Sequence, residues 1–302
     1  MNHIFRKTIC SVIVGASVSA VAILGFTGVL RQRYKGNEYA DWMATLDDNT
    51  SLRDVQMPGS HDSGALISIA DLAGQCQSLS VLDQLNLGVR FLDIRLQQEE
   101  QFLRVVHGIV DQRKRFDDIN LAVNTFLENH PREFIIMSIK EEADPIQPKC
   151  SFDECLKERL SDRYILSREL PSRMGDVRGK VVILSRYAGA SIGVDAYGEW
   201  QDSCSFTMAS SDIYIQDKYK ISDASEKQNE IIKCFNETGH ALKINFLSAY
   251  RTNSFPPSYA PSAAHDINPW VNKEIHNYHD RNIVLYDFVT KENMDAFFKE
   301  VL

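Results

Sequence analysis

Two histidines, an arginine and two aspartates recur at short intervals early in this 302-residue chain, in His61-Asp62, Asp93-Ile94-Arg95 and His107-Gly108. Groups of these types suit one kind of chemistry, the breaking of a phosphate diester. One histidine takes a proton from an attacking hydroxyl and the other gives one to the leaving oxygen. The arginine holds the charge that develops on the phosphate. Each group follows or closes an apolar run such as Val89-Arg90-Phe91-Leu92 or Leu103-Arg104-Val105-Val106. That pattern predicts buried strands with polar residues at their carboxyl ends, where α/β barrels carry their chemistry.

The elements that must hold these residues can be read from the pattern that follows. A strand ends at Met57, and Pro58-Gly59-Ser60 reads as a turn that lifts His61 off the strand end. A helix is expected over residues 79–87, with strands at 89–95 and 103–106. Apolar positions in residues 119–127 fit a helix, which Asn129-His130-Pro131 stops. Further strands are expected at residues 134–139, 181–184, 213–215, 242–246 and 283–286, with helices around 227–235 and 271–278. Strands alternating with helices imply a parallel sheet, and about eight of them imply closure into a barrel. The expected fold is therefore α/β, a single distorted TIM-type barrel preceded by an N-terminal hydrophobic helix. The short gap between Arg95 and Leu103 predicts a barrel that lacks one helix.

Composition bounds the function. A hydrophobic fraction of 44% with 25% charged residues fits a globular protein with a large core. The net charge of −8 argues against a nucleic-acid partner, which favours a basic face. Residues 9–30 carry no charge and are flanked by Arg6, Lys7, Arg31, Arg33 and Lys35. That is long enough to cross a bilayer, which takes about 20 residues. Residues 1–35 thus read as a signal-anchor or a signal peptide, and 36–302 as one catalytic barrel outside the cytosol, either membrane-anchored or secreted. Of the six cysteines, Cys150 and Cys155 could close a small disulfide, or remain free thiols. No cysteine pair has the spacing of a zinc site.

The phrases PGSHDSG, GVRFLDIR, HG, EFIIMSIK, GKVVILSRY and IQDKYKI occur here in order. In that order they resemble the catalytic X domain of bacterial-type phosphatidylinositol-specific phospholipase C, over the chain from roughly Ser51 onward. The resemblance implies a distorted TIM barrel that cleaves phosphatidylinositol, or glycosylated anchors built on it, to diacylglycerol and inositol 1,2-cyclic phosphate. It implies His61 as general base, His107 as general acid and Asp287 as the carboxylate that orients His61. Arg95 would grip the phosphate where calcium-dependent relatives place metal-binding acids, with Asp62 and Asp93 supporting it. Lys140, Arg186, Asp217 and Tyr219 would recognise the inositol ring. No metal and no other cofactor is expected, and the partner is a lipid in a membrane, met by a monomer.

Read without the resemblance, Asp287 is first a helix cap before Lys291-Glu292-Asn293, and Asp93-Arg95 a structural ion pair within the barrel mouth. The chain departs from the family in a short segment between Ser63 and Leu79, where Leu66, Ile67, Ile69 and Leu72 are the lipid-facing candidates. Phe255, Pro256, Pro257 and Tyr259 form a second apolar loop. Two other functions compete: an inactive membrane-anchored barrel that binds lipid or glycan, and a glycerophosphodiester phosphodiesterase. The first should have lost a histidine or the arginine; the second needs a metal-binding acidic set beside its first histidine.

Overall fold

The structure, a computed structural model, describes residues 38–68, 74–252, 260–299 and 301–302. The uncharged stretch at 9–30, Ile69, Leu72 and the loop of Phe255, Pro256, Pro257 and Tyr259 lie outside the described residues. Among the described residues no helix is long and apolar enough to cross a membrane.

After 3₁₀ turns at Trp42–Thr45 and Leu52–Asp54 come β1 (Met57–Ser60), α1 (Val81–Asn86), β2 (Phe91–Glu99), β3 (Phe102–His107) and β4 (Val110–Arg115). Then follow α2 (Phe116–Asn129), β5 (Ile135–Glu141), α3 (Phe152–Lys157), β6 (Tyr164–Ile165), α4 (Met174–Val177), β7 (Val181–Arg186) and β8 (Val194–Asp195). Next are β9 (Ser205–Met208), β10 (Ile213–Gln216), β11 (Lys220–Ile221), α5 (Ala224–Asn236), β12 (Leu242–Phe246) and β13 (Tyr250–Arg251). The described chain finishes with α6 (Ala260–Glu274), β14 (Ile283–Tyr286) and α7 (Lys291–Phe298).

The main sheet runs β6-β7-β5-β2-β1-β14-β12-β10-β9, and from β7 to β10 every neighbouring pair is parallel. Crossovers carry helices, as the alternation in the sequence requires. Closure is not reached. Among the described residues no ladder joins the β6–β8 edge to antiparallel β9, so the barrel stays open along one side.

Three expectations need correction. Met57 begins β1 rather than ending it, so Pro58 and Gly59 lie in the strand and form no turn. Gly59 is there for close packing: a Cβ would meet the Phe91 Cβ at 2.8 Å and the Leu285 Cγ at 2.9 Å from the strands on either side. Second, the strand carrying His107 is not a barrel strand. β2 extends past the end of β1, and β3 folds back antiparallel on it, pairing Leu96 with Val105. β4 then pairs with β3, so a hairpin excursion replaces the missing helix. Third, residues 271–278 split between the end of α6 and a 3₁₀ turn at Ile275–Asn277.

At the amino ends of the strands, Arg90 and Glu133 are both fully buried. The Arg90 guanidinium donates to Glu133 Oε2 at 2.8 Å, to the Leu85 and Val89 carbonyls at 2.8 and 2.7 Å, and to the Ala40 carbonyl at 2.6 Å. It also lies 4.5 Å from the Phe126 ring centre. Removing one partner from such a pair strands a buried charge. Glu133→Ala is expected to lower unfolding stability by about 3–5 kcal/mol, and Arg90→Met with Glu133→Leu to recover most of it. Denaturant melts of the single and double variants check this.

Candidate active site

His61 follows the last residue of β1, and Asp287 the last residue of β14, which pair in register through Ser60↔Tyr286. The ladder continues one step further, with the His61 N–H donating to the Tyr286 carbonyl at 3.0 Å. Adjacent strand ends therefore set His61 Nδ1 2.8 Å from Asp287 Oδ1. On its other side, His61 Nε2 lies 2.8 Å from Arg95 Nη2. A guanidinium only donates, so Nε2 carries the lone pair and the neutral ring gives its proton at Nδ1 to Asp287. The tautomer thus points a basic nitrogen away from its carboxylate.

Arg95 stands on β2 beside Lys140 of β5, which in turn pairs with Arg186 of β7. Three cations in neighbouring strands need anions, and Asp93 supplies the first. Fully buried, it accepts from Arg95 Nε at 3.1 Å, from Arg186 at 3.2 Å and from the Asp62 backbone N–H at 3.1 Å. Burial alone would raise its pKa; Arg95 and Arg186 outweigh that and hold it well below the usual carboxylate range. Glu142 adds a second anion, 3.5 Å from Arg95 and 2.7 Å from Lys140 Nζ.

The two histidines sit in unlike fields. Burial opposes charge on His61, but Asp287 more than compensates against Arg95, and its pKa rises. His107 has no such carboxylate at hydrogen-bond distance. Burial, then the Arg95 and His61 charges, push it down to about 4. Its nearest acid is Asp62, whose Oδ2 is 3.4 Å from His107 Nδ1 and 3.7 Å from Arg95. Neither Asp62 oxygen has a hydrogen-bond partner, and burial pushes this carboxyl up to about 7, against the pull of Arg95. A carboxyl that holds a proton near neutrality thus stands beside a histidine that is neutral there.

These groups surround a cavity of about 640 Å³. His61, Arg95, His107, Lys140, Arg186, Asp217, Tyr219 and Asp287 line it; Asp62 and Asp93 sit behind the lining. Trp200 also lines it, 3.5 Å under the Arg186 guanidinium, and donates from Nε1 to Asp217 Oδ2 at 3.1 Å. Tyr219 donates its hydroxyl to Asp202 and tilts against Tyr250. Among the described residues, two overlapping groups have the spacing to hold a metal ion, His61 with Cys76 and Asp287, and Asp62 with Cys76 and His107.

Residues 59–187 match the family model described as phosphatidylinositol-specific phospholipase C, X domain. This stretch is similar to that X domain. The chain is 28% identical over 261 residues to a 1-phosphatidylinositol phosphodiesterase of Staphylococcus aureus, covering 78% of this chain and 83% of that protein. It is 25% identical over 279 residues to one of Listeria monocytogenes, covering 85% and 84%. A solved phosphatidylinositol-specific phospholipase C from S. aureus superposes with a TM-score of 0.76 at 24% identity, over 86% of this chain and 97% of that one. The Listeria monocytogenes structure gives 0.69 at 22%, over 86% and 98%. These likenesses in structure establish the fold.

The site also holds residues that sequence reasoning missed. Gln77, fully buried, donates to the His61 and Tyr286 carbonyls at 2.8 and 2.9 Å and accepts from the Val289 N–H at 3.1 Å. It clamps the two strand ends that present His61 and Asp287. No periodicity marks it. Glu142 carries a readable signal, since it lies two residues beyond Lys140, on the same face at the end of a strand. Cys76 and Trp200 come from loops without pattern. Because Asp287 supplies the upward pull on His61, Asp287→Asn is expected to lower the His61 pKa, read from the ring-nitrogen shifts in an NMR titration. An unchanged value would exclude Asp287 as the cause.

Proposed function

We propose that the chain is a metal-independent phosphatidylinositol diacylglycerol-lyase, acting as a monomer outside the cytosol. One observation carries the reading: a base with its lone pair at Nε2, an arginine against that nitrogen, and a second histidine backed by a protonatable carboxyl open onto one cavity. In the proposed step His61 Nε2 takes the proton of the inositol 2-hydroxyl, and that oxygen attacks the adjacent phosphorus. The bond from phosphorus to the diacylglycerol oxygen breaks as His107 gives that oxygen a proton, which Asp62 restores. Arg95 turns from Nε2 onto the phosphate oxygens as substrate enters, which frees the base and places charge where it develops. Asp93 holds Arg95 and Arg186 and touches no substrate.

Lys140, Arg186 and Asp217 offer donors and acceptors to a ring of hydroxyls, and Tyr219 an aromatic face. The retained histidines and arginine count against an inactive lipid- or glycan-binding barrel. The Arg95 guanidinium against His61 Nε2, a cation where a metal would have to sit, counts against a glycerophosphodiester phosphodiesterase. Ile109 is 99% exposed two residues beyond His107, and Tyr197 is half exposed on the cavity rim. Apolar groups at a cavity mouth suit a lipid surface. The Cys150–Cys155 disulfide suits an oxidising compartment. Whether free phosphatidylinositol or a glycosylated anchor is preferred turns on what the far side of the cavity accepts.

His61→Ala and His107→Ala are each expected to lower turnover about 10²–10⁴-fold with the fold intact by circular dichroism. Arg95→Lys is expected to cost about 10²–10³-fold, since an ammonium cannot reproduce the two-point fork. EDTA is expected to leave the wild type active; loss of activity restored by calcium would overturn metal independence. Attack from within the substrate makes the five-membered cyclic phosphate the first product. Phosphorus NMR of an early time point tests this, and acyclic inositol phosphate appearing first would exclude the lyase.

A further inference from the structure

Cys76 is a buried thiol against both histidines, and the reaction proposed above gives it nothing to do. Its sulfur lies 3.3 Å from His107 Nδ1, which is itself 3.4 Å from Asp62 Oδ2. A tetrahedral zinc ion, with bonds of about 2.3 Å to sulfur and about 2.0–2.1 Å to nitrogen or oxygen, sets adjacent ligand atoms about 3.3–3.6 Å apart. Two edges of the Asp62–Cys76–His107 triangle match that size, and all three ligand atoms lie within 4.8 Å of one another. Asp62 adds an independent observation. It is wholly buried, and neither carboxylate oxygen has a hydrogen-bond partner, an arrangement that costs free energy unless something else binds there.

We propose that Asp62, Cys76 and His107 form an inhibitory site for a thiophilic divalent cation, zinc or cadmium. The proposal rests on the assignment of His107 as general acid. Cys76 and His107 both line the cavity, so the ion has a path in and a fourth position facing the substrate space. Binding forms bonds from the metal to Sγ, Nδ1 and a carboxylate oxygen. The thiol proton, and any proton held between Asp62 and His107, pass to solvent. A thiolate and a carboxylate together balance the double charge of the ion. Arg95, 3.7 Å from Asp62, opposes it and keeps the site weaker than a structural zinc centre.

The overlapping set of His61, Cys76 and Asp287 fits less well. His61 Nδ1 and Asp287 Oδ1 stand 2.8 Å apart in a hydrogen bond, shorter than the tetrahedral edge, and that bond would have to be given up. A metal on the first set instead leaves His61 and Asp287 as they are. It ties up His107 Nδ1 and Asp62 and so cuts the proton supply to the leaving oxygen, and cleavage stops while the base stays in place.

The test uses the purified full chain stripped with chelator. Cadmium titration is expected to produce the ultraviolet thiolate-to-cadmium band at one ion per chain, and zinc to compete it away. Cys76→Ser and Cys76→Ala should both abolish the band and weaken zinc binding at least about 10–100-fold, with folding checked by circular dichroism. His61→Ala should keep the band. In parallel, zinc should suppress cleavage of phosphatidylinositol vesicles by the wild type and EDTA restore it, while the activity ratio with and without zinc approaches one in the Cys76 variants. A band that survives both Cys76 substitutions, arising from another of the chain's thiols, would overturn the site, as would an active wild type that shows no band. A chain that binds cadmium through Cys76 yet cleaves no lipid would retain the site and refute the assigned reaction.

Discussion

Asp93 is a carboxylate without access to water, and a charge so placed persists only where donors and cations surround it. Here they include two arginines of the cavity wall. Arg95 comes from the same strand, Arg186 from two strands away, and the Asp62 backbone from the loop after β1. Ser63, next along, donates its backbone N–H to the Asp93 carbonyl at 2.8 Å and accepts the Asp93 N–H on its hydroxyl at 2.9 Å. One buried acid thus fixes the relative placement of three parallel strands at the mouth of the open barrel. Replacing it would leave two guanidinium groups repelling each other over an unfilled hole. The placement of the two arginines in the cavity wall depends on that anion beneath them.

From this arrangement follows the contrast between the histidines. His61 lies at a junction of two barrel strands, where register alone brings a carboxylate to Nδ1. His107 hangs at the end of a hairpin strand that folds back over the edge of β2. Burial, and then the field of Arg95, act on it without a hydrogen-bonded anion to offset them, and its pKa falls as that of His61 rises. Two copies of one side chain acquire opposite acid–base tendencies from the elements that carry them.

Much of this was legible in the residues. The parallel core strands announce themselves as apolar runs, and the polar residue closing each run falls at the cavity. What was hidden has physical causes. Pro58-Gly59 looks like a turn, because a glycine required by Phe91 and Leu285 on either side cannot be told from one required by a positive φ. The β3–β4 hairpin was half seen, since the Val110–Arg115 strand is mostly charged and edge-exposed and shows no apolar period. The opening of the barrel depends on hydrogen bonds that are absent between distant segments, for which a linear pattern has no sign. Gln77 and Cys76 act through a loop whose path is set by β1 and β14, so their importance exists only in three dimensions.

β1 lies at the centre of the sheet between β2 and β14, although the latter comes more than two hundred residues later in the chain. While the polypeptide is being made, β1 emerges early and holds to β2 through only Gly59↔Phe91 and Ser60↔Leu92. Its other edge waits, unpaired, for a strand among the last to appear, and loop-closure entropy makes so distant a pairing slow. His61 and the carboxylate that orients it are 226 residues apart, so the two meet only when that gap closes. A chain still in synthesis or in transit therefore holds a histidine with no oriented lone pair. The orientation of His61 by Asp287 thus depends on the pairing of β1 with β14, one of the most distant contacts in the chain.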